Sequence, residues 1–211
     1  MRLVLMGPPG AGKGTQGALL ASRFDIPRYS TGDILRVARR DGSELGRKAQ
    51  GYMDAGELVP DDVILGLVRS VLMSAEAAGG YLLDGFPRTV AQAKSLGNLL
   101  EEADRKLDAV VNLLVDDGEI VKRLSSRRVC EDCGAILWPE AGTDSCTGCG
   151  GRLLTRPDDR PETVQRRLEV YREQTEPVLA WYRESGTTML DVPGTGDIEQ
   201  VQERIVAGLV L

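Results

Sequence analysis

No histidine occurs anywhere in the 211 residues, and that absence removes every mechanism built on an imidazole: a Ser-His or Cys-His pair, a histidine base, a histidine metal ligand. Lysine is also sparse. Of the 26 basic residues only Lys13, Lys48, Lys94, Lys106 and Lys122 are lysines, so the positive charge is mostly guanidinium, suited to bidentate grip on phosphate or carboxylate. Aromatics make up 4% of the chain, and no apolar run is long enough for a membrane span or a signal peptide: Met1-Arg2-Leu3-Val4-Leu5-Met6 gives way at once to Gly7-Pro8-Pro9-Gly10. A formal net charge of -6 argues against a general nucleic-acid binder. The expectation is a cytoplasmic monomer that binds neither membrane nor nucleic acid and whose basic sites are local.

What is present describes an ordinary globular chain, 42% hydrophobic and 27% charged, long enough for one domain with insertions. Short apolar runs alternate with segments of helical period, the pattern of an α/β protein on a parallel sheet. Five strands are predicted at 2–6, 27–30, 81–84, 108–115 and 188–192. Helices are predicted at 13–23, 34–40, 45–55, 61–77, 90–103, 118–127, 161–184 and 198–209, the longest opened by Pro161-Glu162. Two stretches break the alternation: 31–59, helical and glycine-rich, and 127–159, which holds all four cysteines and has no helical period. Neither is large enough to hold a core of its own.

Gly7-Pro8-Pro9-Gly10-Ala11-Gly12-Lys13-Gly14-Thr15 follows the first strand and opens the first helix, the setting a P-loop requires. Its glycines let the N–H groups turn inward as an anion nest, the helix N-terminus adds partial positive charge, and Lys13 can reach the β- and γ-phosphates of a nucleotide. Gly14 stands where a Ser or Thr would usually ligate magnesium. Mg²⁺ is therefore expected to be held by nucleotide phosphates and waters, with Asp84 at a strand end the carboxylate best placed to orient those waters, an ordinary capping role being its alternative.

With that loop extended to Gln16, further motifs resemble those of the adenylate kinases: Ser30-Thr31-Gly32-Asp33-Ile34-Leu35-Arg36, Gly56-Glu57-Leu58-Val59-Pro60-Asp61, Asp84-Gly85-Phe86-Pro87-Arg88-Thr89 with Gln92, Arg127-Arg128, Asp158-Asp159 and Arg166-Arg167. They run in family order over nearly the whole chain. The resemblance implies a core with a five-stranded parallel sheet and helices on both faces (1–29, 60–125 and 160–211), a nucleoside-monophosphate-binding insertion (30–59) and a lid (126–159). It implies ATP and AMP as substrates and ADP as product. On the AMP side it implies Thr31, Arg36, Glu57, Leu58, Val59, Gly85, Arg88, Gln92, Arg156 and Arg167, with Gln92 on the adenine edge. On the ATP side it implies Gly10, Ala11, Gly12, Lys13, Gly14, Thr15, Arg123, Arg127 and Gly196. Lys13, Asp84, Arg88, Arg123, Arg127, Arg156 and Arg167 would carry the transfer. Thr31 and the Thr89-x-x-Gln92 ending favour adenine over the acceptors of UMP/CMP-type kinases.

Cys130, Cys133, Cys146 and Cys149 form a C-x₂-C-x₁₂-C-x₂-C array, each pair followed by glycine. In a reducing compartment this reads as a metal site rather than as disulfides, and four thiolates with no open position point to structural Zn²⁺, iron being the softer alternative. The array resembles the zinc-type lid of some adenylate kinases, although Ala135-Ile136-Leu137-Trp138-Pro139 and the short loop after it depart from the aromatic and Asn-Pro-Pro pattern usual there.

Overall fold

A computed structural model of the chain describes residues 1–139 and 142–209; positions 140–141 of the expected lid and 210–211 of the expected core lie outside them. The five expected strands form one parallel sheet in the order β2-β3-β1-β4-β8, comprising β1 (Arg2–Met6), β2 (Arg28–Ser30), β3 (Tyr81–Asp84), β4 (Ala109–Leu114) and β8 (Met189–Pro193). Both faces of this sheet are apolar, as a parallel sheet covered by helices requires. Val4, Met6, Tyr81, Leu83 and Val110 pack on one side against α4 (Asp61–Leu72), α5 (Val90–Glu102) and α8 (Glu176–Glu184). Leu3, Leu5, Leu82, Val111 and Leu113 pack on the other against Leu20 of α1 (Lys13–Phe24) and Val201 and Ile205 of α9 (Ile198–Leu209). Each such side chain, fully buried, contributes about 1.5–3 kcal/mol.

Strand order reverses around β1, so the carboxyl ends of β1, β3 and β4 open a crevice, the usual ligand position in such sheets. Two groups of elements flank it. After β2 come α2 (Thr31–Arg40) and α3 (Glu44–Ala55), capped by Ser30, whose hydroxyl accepts from Asp33 N, and by Ser43, whose hydroxyl accepts from Gly46 N. After α6 (Asp117–Ser126) comes a small antiparallel sheet, β6-β5-β7, built from β5 (Arg128–Cys130), β6 (Ile136–Leu137) and β7 (Leu153–Leu154).

Three expectations need correcting. The helix expected over 61–77 ends at Leu72, where Ser74 turns extended, and resumes only as a short 3₁₀ turn at Ala75–Ala77. The helix expected over 161–184 is continuous but carries a π-turn at Tyr171–Thr175 between α7 (Pro161–Val170) and α8: Glu176 N–H bonds Tyr171 O, five residues back, and Pro177 behind it has no N–H to restore the i−4 ladder. The cysteine segment contains strands, each too short for a visible alternation. Among the described residues no helix is long and apolar enough to cross a membrane.

Candidate active site

The loop after β1 turns as the sequence suggests. Gly7 has φ +133°, and a Cβ there would lie 2.8 Å from Leu113 O, so only glycine lets the chain leave the sheet at this point. Gly12, at φ +97°, is the N-cap of α1; no side chain caps this helix, and its first turn holds no acid. Those N–H groups are left to an anion. Lys13 Nζ folds back on its own loop, donating to Gly7 O at 2.7 Å and Pro8 O at 2.8 Å. Desolvation lowers its pKa to about 7; Asp84 opposes the shift, and Arg88, Arg167 and Arg127 add to it.

Opposite the nest, one cleft is lined by Arg36, Arg88, Arg127, Arg156 and Arg167. They are brought by α2, the loop after β3, the end of α6, the turn before α7, and α7 itself. Asp159, whose side chain is fully buried, holds two of them: Arg127 donates from Nε at 2.8 Å and from a terminal nitrogen at 2.5 Å, and Arg167 approaches at 3.2 Å while also donating to Asp158 O at 2.6 Å. Arg36 bonds Asp33 at 2.6 Å. Arg88 bonds only a carbonyl, Gly85 O, at 2.8 Å, and Arg156 has no side-chain partner among the described residues. Burial first, then Arg167 and Arg36, lower the pKa of Arg88 to about 10; burial, then Arg36 and Arg127, do the same for Arg156. Arg88 and Arg156, set among other cations with no carboxylate partner of their own among the described residues, describe an anion site.

A second compartment adjoins this cleft and shares Arg36, Arg88 and Arg167 with it. Its wall is apolar, from Leu35, Met53, Leu58, Val59 and Ile64. Thr31 Oγ1 donates to Gly85 O at 2.9 Å, tying α2 to the loop after β3. The Glu57 carboxylate is taken by Arg166 Nε at 2.8 Å, so Glu57–Val59 can offer a ligand their backbone and the Leu58 and Val59 side chains. Gln92 is buried at 2% exposure, donating Nε2 to Asp61 at 2.6 Å and accepting Arg88 N–H on Oε1 at 2.7 Å.

The structure gathers most of the residues named from sequence, but not all. Gly10, Gly12, Lys13, Gly14, Thr15 and Asp84 line the phosphate cleft; Thr31, Glu57, Leu58, Val59, Gly85 and Gln92 line its neighbour. Ala11 is buried beneath the loop. Arg123 and Gly196 stand outside the cleft lining. Arg123 donates to Glu119 at 2.8 Å and Gly194 O at 3.0 Å, and the space beside Gly196 is filled by Gln200 and Arg204. Four residues were not anticipated: Arg28, which lies between Asp33 and Asp84; Asp61, which fixes Gln92; and Ile136 and Trp138, which line the cleft from the small sheet. The one sequence signal for Arg28 is the Gly14/Gly17 pair, whose missing side chains leave its slot open.

In the small sheet the four cysteine sulfurs lie within 4.8 Å of one another. Cys130 and Cys149 Sγ are 3.4 Å apart, Cys133 and Cys146 Sγ 3.7 Å. Four sulfurs about 2.3 Å from a tetrahedral zinc would be about 3.8 Å apart, so the cluster has the size and donor set for Zn²⁺. Gly134 and Gly150, at φ +72° and +75°, close the two knuckles by donating to Cys130 O and Cys146 O.

A parallel sheet whose first strand runs into an anion nest, facing arginines from the elements on both flanks, defines a P-loop kinase fold. The adenylate kinase family model matches residues 5–187. Over nearly their full lengths the chain is 48% identical to an adenylate kinase of Archaeoglobus fulgidus (98% of this chain, 97% of the relative), 50% to one of Acidothermus cellulolyticus (99% and 98%) and 48% to one of Citrifermentans bemidjiense (99% of each). The chain belongs to the adenylate kinase family.

Proposed function

We infer that the protein transfers the terminal phosphoryl group of ATP to AMP, reversibly, giving two ADP. The observation that carries this reading is the pair Arg88 and Arg156: two cations without carboxylate partners, in the cleft the P-loop faces, next to an apolar compartment with a preset amide at its end. In our assignment the backbone of Gly10–Thr15 and Lys13 hold the ATP phosphates, with Arg127; Arg123 and Gly196 serve the base end. Thr31, Arg36, the segment Glu57–Val59, Gly85, Arg88 and Gln92 hold AMP. Arg156 and Arg167 approach the phosphates from the lid side.

Phosphoryl transfer brings several negative charges together in a loose, in-line transition state, so positioning and charge neutralisation do most of the catalysis and no imidazole base is required. Arg88 and Arg156, held without anions of their own, are free to stabilise charge that develops during transfer. Water is the competing nucleophile. We propose a core of 1–29, 60–125 and 160–211, an AMP-binding insertion of 30–59 and a lid of 126–159, the latter two closing to exclude it. Mg²⁺ would enter with ATP and neutralise its phosphates. Asp84 and Asp33 line the cleft, and among the described residues Asp84 Oδ1 receives no side-chain hydrogen bond, so the Asp84 carboxylate fits metal-bound water. Cys130, Cys133, Cys146 and Cys149 would hold Zn²⁺, which would cross-link the lid rather than take part in transfer. The reading places the protein in the cytoplasm as a monomer.

Product analysis with ATP and each of AMP, CMP, UMP and GMP tests it. ADP formation with AMP as preferred acceptor is expected, and an equal or greater kcat/KM with CMP or UMP would overturn the adenine assignment.

A further inference from the structure

The Arg28 side chain leaves β2, crosses the end of β3 and lies under the first turn of α1. Its Nε and a terminal nitrogen donate to Asp84 Oδ2 at 3.2 and 2.5 Å, and the same terminal nitrogen donates to Asp33 Oδ2 at 3.0 Å. The slot it fills is made by two glycines of α1. A Cβ at Gly17 would lie 3.0 Å from Arg28 Nε, and one at Gly14 would lie 3.5 Å from its terminal nitrogen. Gly14 is also the position where a P-loop hydroxyl would ligate metal. At the Gly14 position itself this chain therefore has no hydroxyl, and beside it a guanidinium is fixed between the two carboxylates.

We propose that Arg28 is a positioning residue that occupies the space between Asp33 and Asp84 as a fixed monovalent cation, so that the nucleotide-free cleft does not capture a divalent cation and metal enters only with the triphosphate. The local charges balance. Asp33 uses Oδ2 for Arg28 and Oδ1 for Arg36, at 2.6 Å, and Asp84 has a 7% exposed side chain with Arg28 on one oxygen. Burial alone would raise the Asp33 pKa, but Arg36 and Arg28 hold it down at about 2, and each of the two carboxylates has the Arg28 guanidinium against one oxygen. A hydrated divalent ion arriving alone gains no uncompensated carboxylate pair and would be repelled by the guanidinium. When ATP brings its own negative charge, the cation is stabilised by the phosphates. Asp84 Oδ1, its partner oxygen pinned by Arg28, then faces the metal-bound water in a fixed orientation. Without Arg28, two carboxylates that shared one nitrogen are left facing each other, an arrangement that favours a divalent ion.

The inference deepens the reading above, resting on it for the statement that metal enters with ATP. Its test uses nucleotide-free protein, so its outcome and that of the ADP assay are separable. Mn²⁺ binding is titrated by electron paramagnetic resonance on the full chain as wild type, Arg28→Gln, Arg28→Met and each combined with Asp84→Asn. Folding is checked by circular dichroism. The wild type should show no saturable site that depends on Asp84. Arg28→Gln and Arg28→Met should each gain one, tighter than the wild-type background by about tenfold or more, and Asp84→Asn should remove it. Mg²⁺ should correspondingly raise the melting temperature of nucleotide-free Arg28→Gln and leave the wild type unchanged. If Arg28→Met does not fold, Arg28→Gln, which keeps a hydrogen-bond donor, carries the comparison. Saturable Mn²⁺ binding to nucleotide-free wild type that Asp84→Asn abolishes would overturn the proposal, and so would Arg28 variants that bind no more Mn²⁺ than wild type.

Discussion

Gln92 donates Nε2 to Asp61 Oδ1 at 2.6 Å while its Oε1 accepts the Arg88 backbone N–H at 2.7 Å, so the amide is oriented before any ligand arrives. An amide has two donors and two acceptor positions, and these bonds leave one of each for an adenine edge. Asp61→Ala should loosen that orientation without removing the amide. AMP should lose about 10–100-fold in kcat/KM, and its margin over CMP and UMP should shrink, because a mispaired buried amide costs about 1–3 kcal/mol. Steady-state kinetics with the four monophosphates measures this. An unchanged preference for AMP would show that Asp61 does not set the specificity.

Among the described residues the Arg88 side chain has a backbone carbonyl as its one hydrogen-bond partner and like charges around it, with its pKa lowered to about 10 by burial and by Arg167 and Arg36. Arg88→Ala should relieve repulsion in the nucleotide-free protein, leaving melting temperature unchanged or higher, yet lower kcat by about 100–1,000-fold. The opposite split, a lost fold with near-native kcat in the surviving fraction, would make Arg88 a structural residue.

Asp159 should affect stability as well as turnover. It is buried between Arg127 and Arg167, and replacing it by alanine leaves two partly buried guanidinium groups without their shared carboxylate. Breaking a buried pair in this way costs about 3–5 kcal/mol. A chain of this length should then melt lower by about 10 °C. Turnover should fall as well, because Arg127 and Arg167 lose the anchor that aims them at the cleft. Thermal melts and kcat measured on the same preparation would show both effects together.

These contrasts show which parts of the site were legible in the sequence. The five parallel strands were, because runs such as Leu3-Val4-Leu5-Met6 and Tyr81-Leu82-Leu83 are apolar on both faces and end at Gly, Asp or Pro. The P-loop was, because its chemistry is local in sequence. The lid strands were not: two or three residues carry no period, and their pairing depends on which cysteines meet. Arg28 and Asp61 were missed for a related reason. Each acts through a partner far away in the chain, 56 residues for Arg28 and Asp84 and 31 for Asp61 and Gln92; Asp61 ends the Gly56–Asp61 motif, but its contact with Gln92 cannot be read from that spacing.

Lys13 gives the cleft a pH signature. Its pKa is about 7 in the folded chain against an ordinary 10.5. Below about pH 7 the lysine is protonated in both folded and unfolded states. Between 7 and 10.5 the unfolded chain binds a proton that the folded one has released, so stability rises with pH across that window and levels off above it. Lys13→Met should flatten this part of the stability profile, measured by denaturant unfolding across pH. Nucleotide phosphates should raise the Lys13 pKa, so binding near neutral pH should take up a proton. Calorimetry in two buffers of different ionisation enthalpy would detect it, and the uptake should vanish in Lys13→Met.

The four-thiol cluster leads to the last prediction, that the purified protein carries one zinc per chain and that this zinc stabilises the lid without entering the chemistry. Apart from the cysteines, the lid core is small: Leu153 is buried, and Ala135 and Leu137 pack against it, together with Cys130 and Cys146. That is too little apolar surface to offset the ordering entropy of the segment, roughly 1–2 kcal/mol per residue for backbone alone. Structural zinc supplies apparent binding energy of about 10–16 kcal/mol in small finger peptides, comparable with the stability of a whole domain. Four thiolates leave no coordination position for a reactive water. The arginines that line the cleft, including Arg127 and Arg156, are not ligands of the cluster. Cys133→Ser or chelation should therefore lower the melting temperature and expose the lid to protease, while ADP formation persists at temperatures where the lid remains folded. Elemental analysis finding no metal would remove the site. Abolished transfer after zinc removal, with hydrogen exchange showing the lid still folded, would show that zinc does more than hold it together.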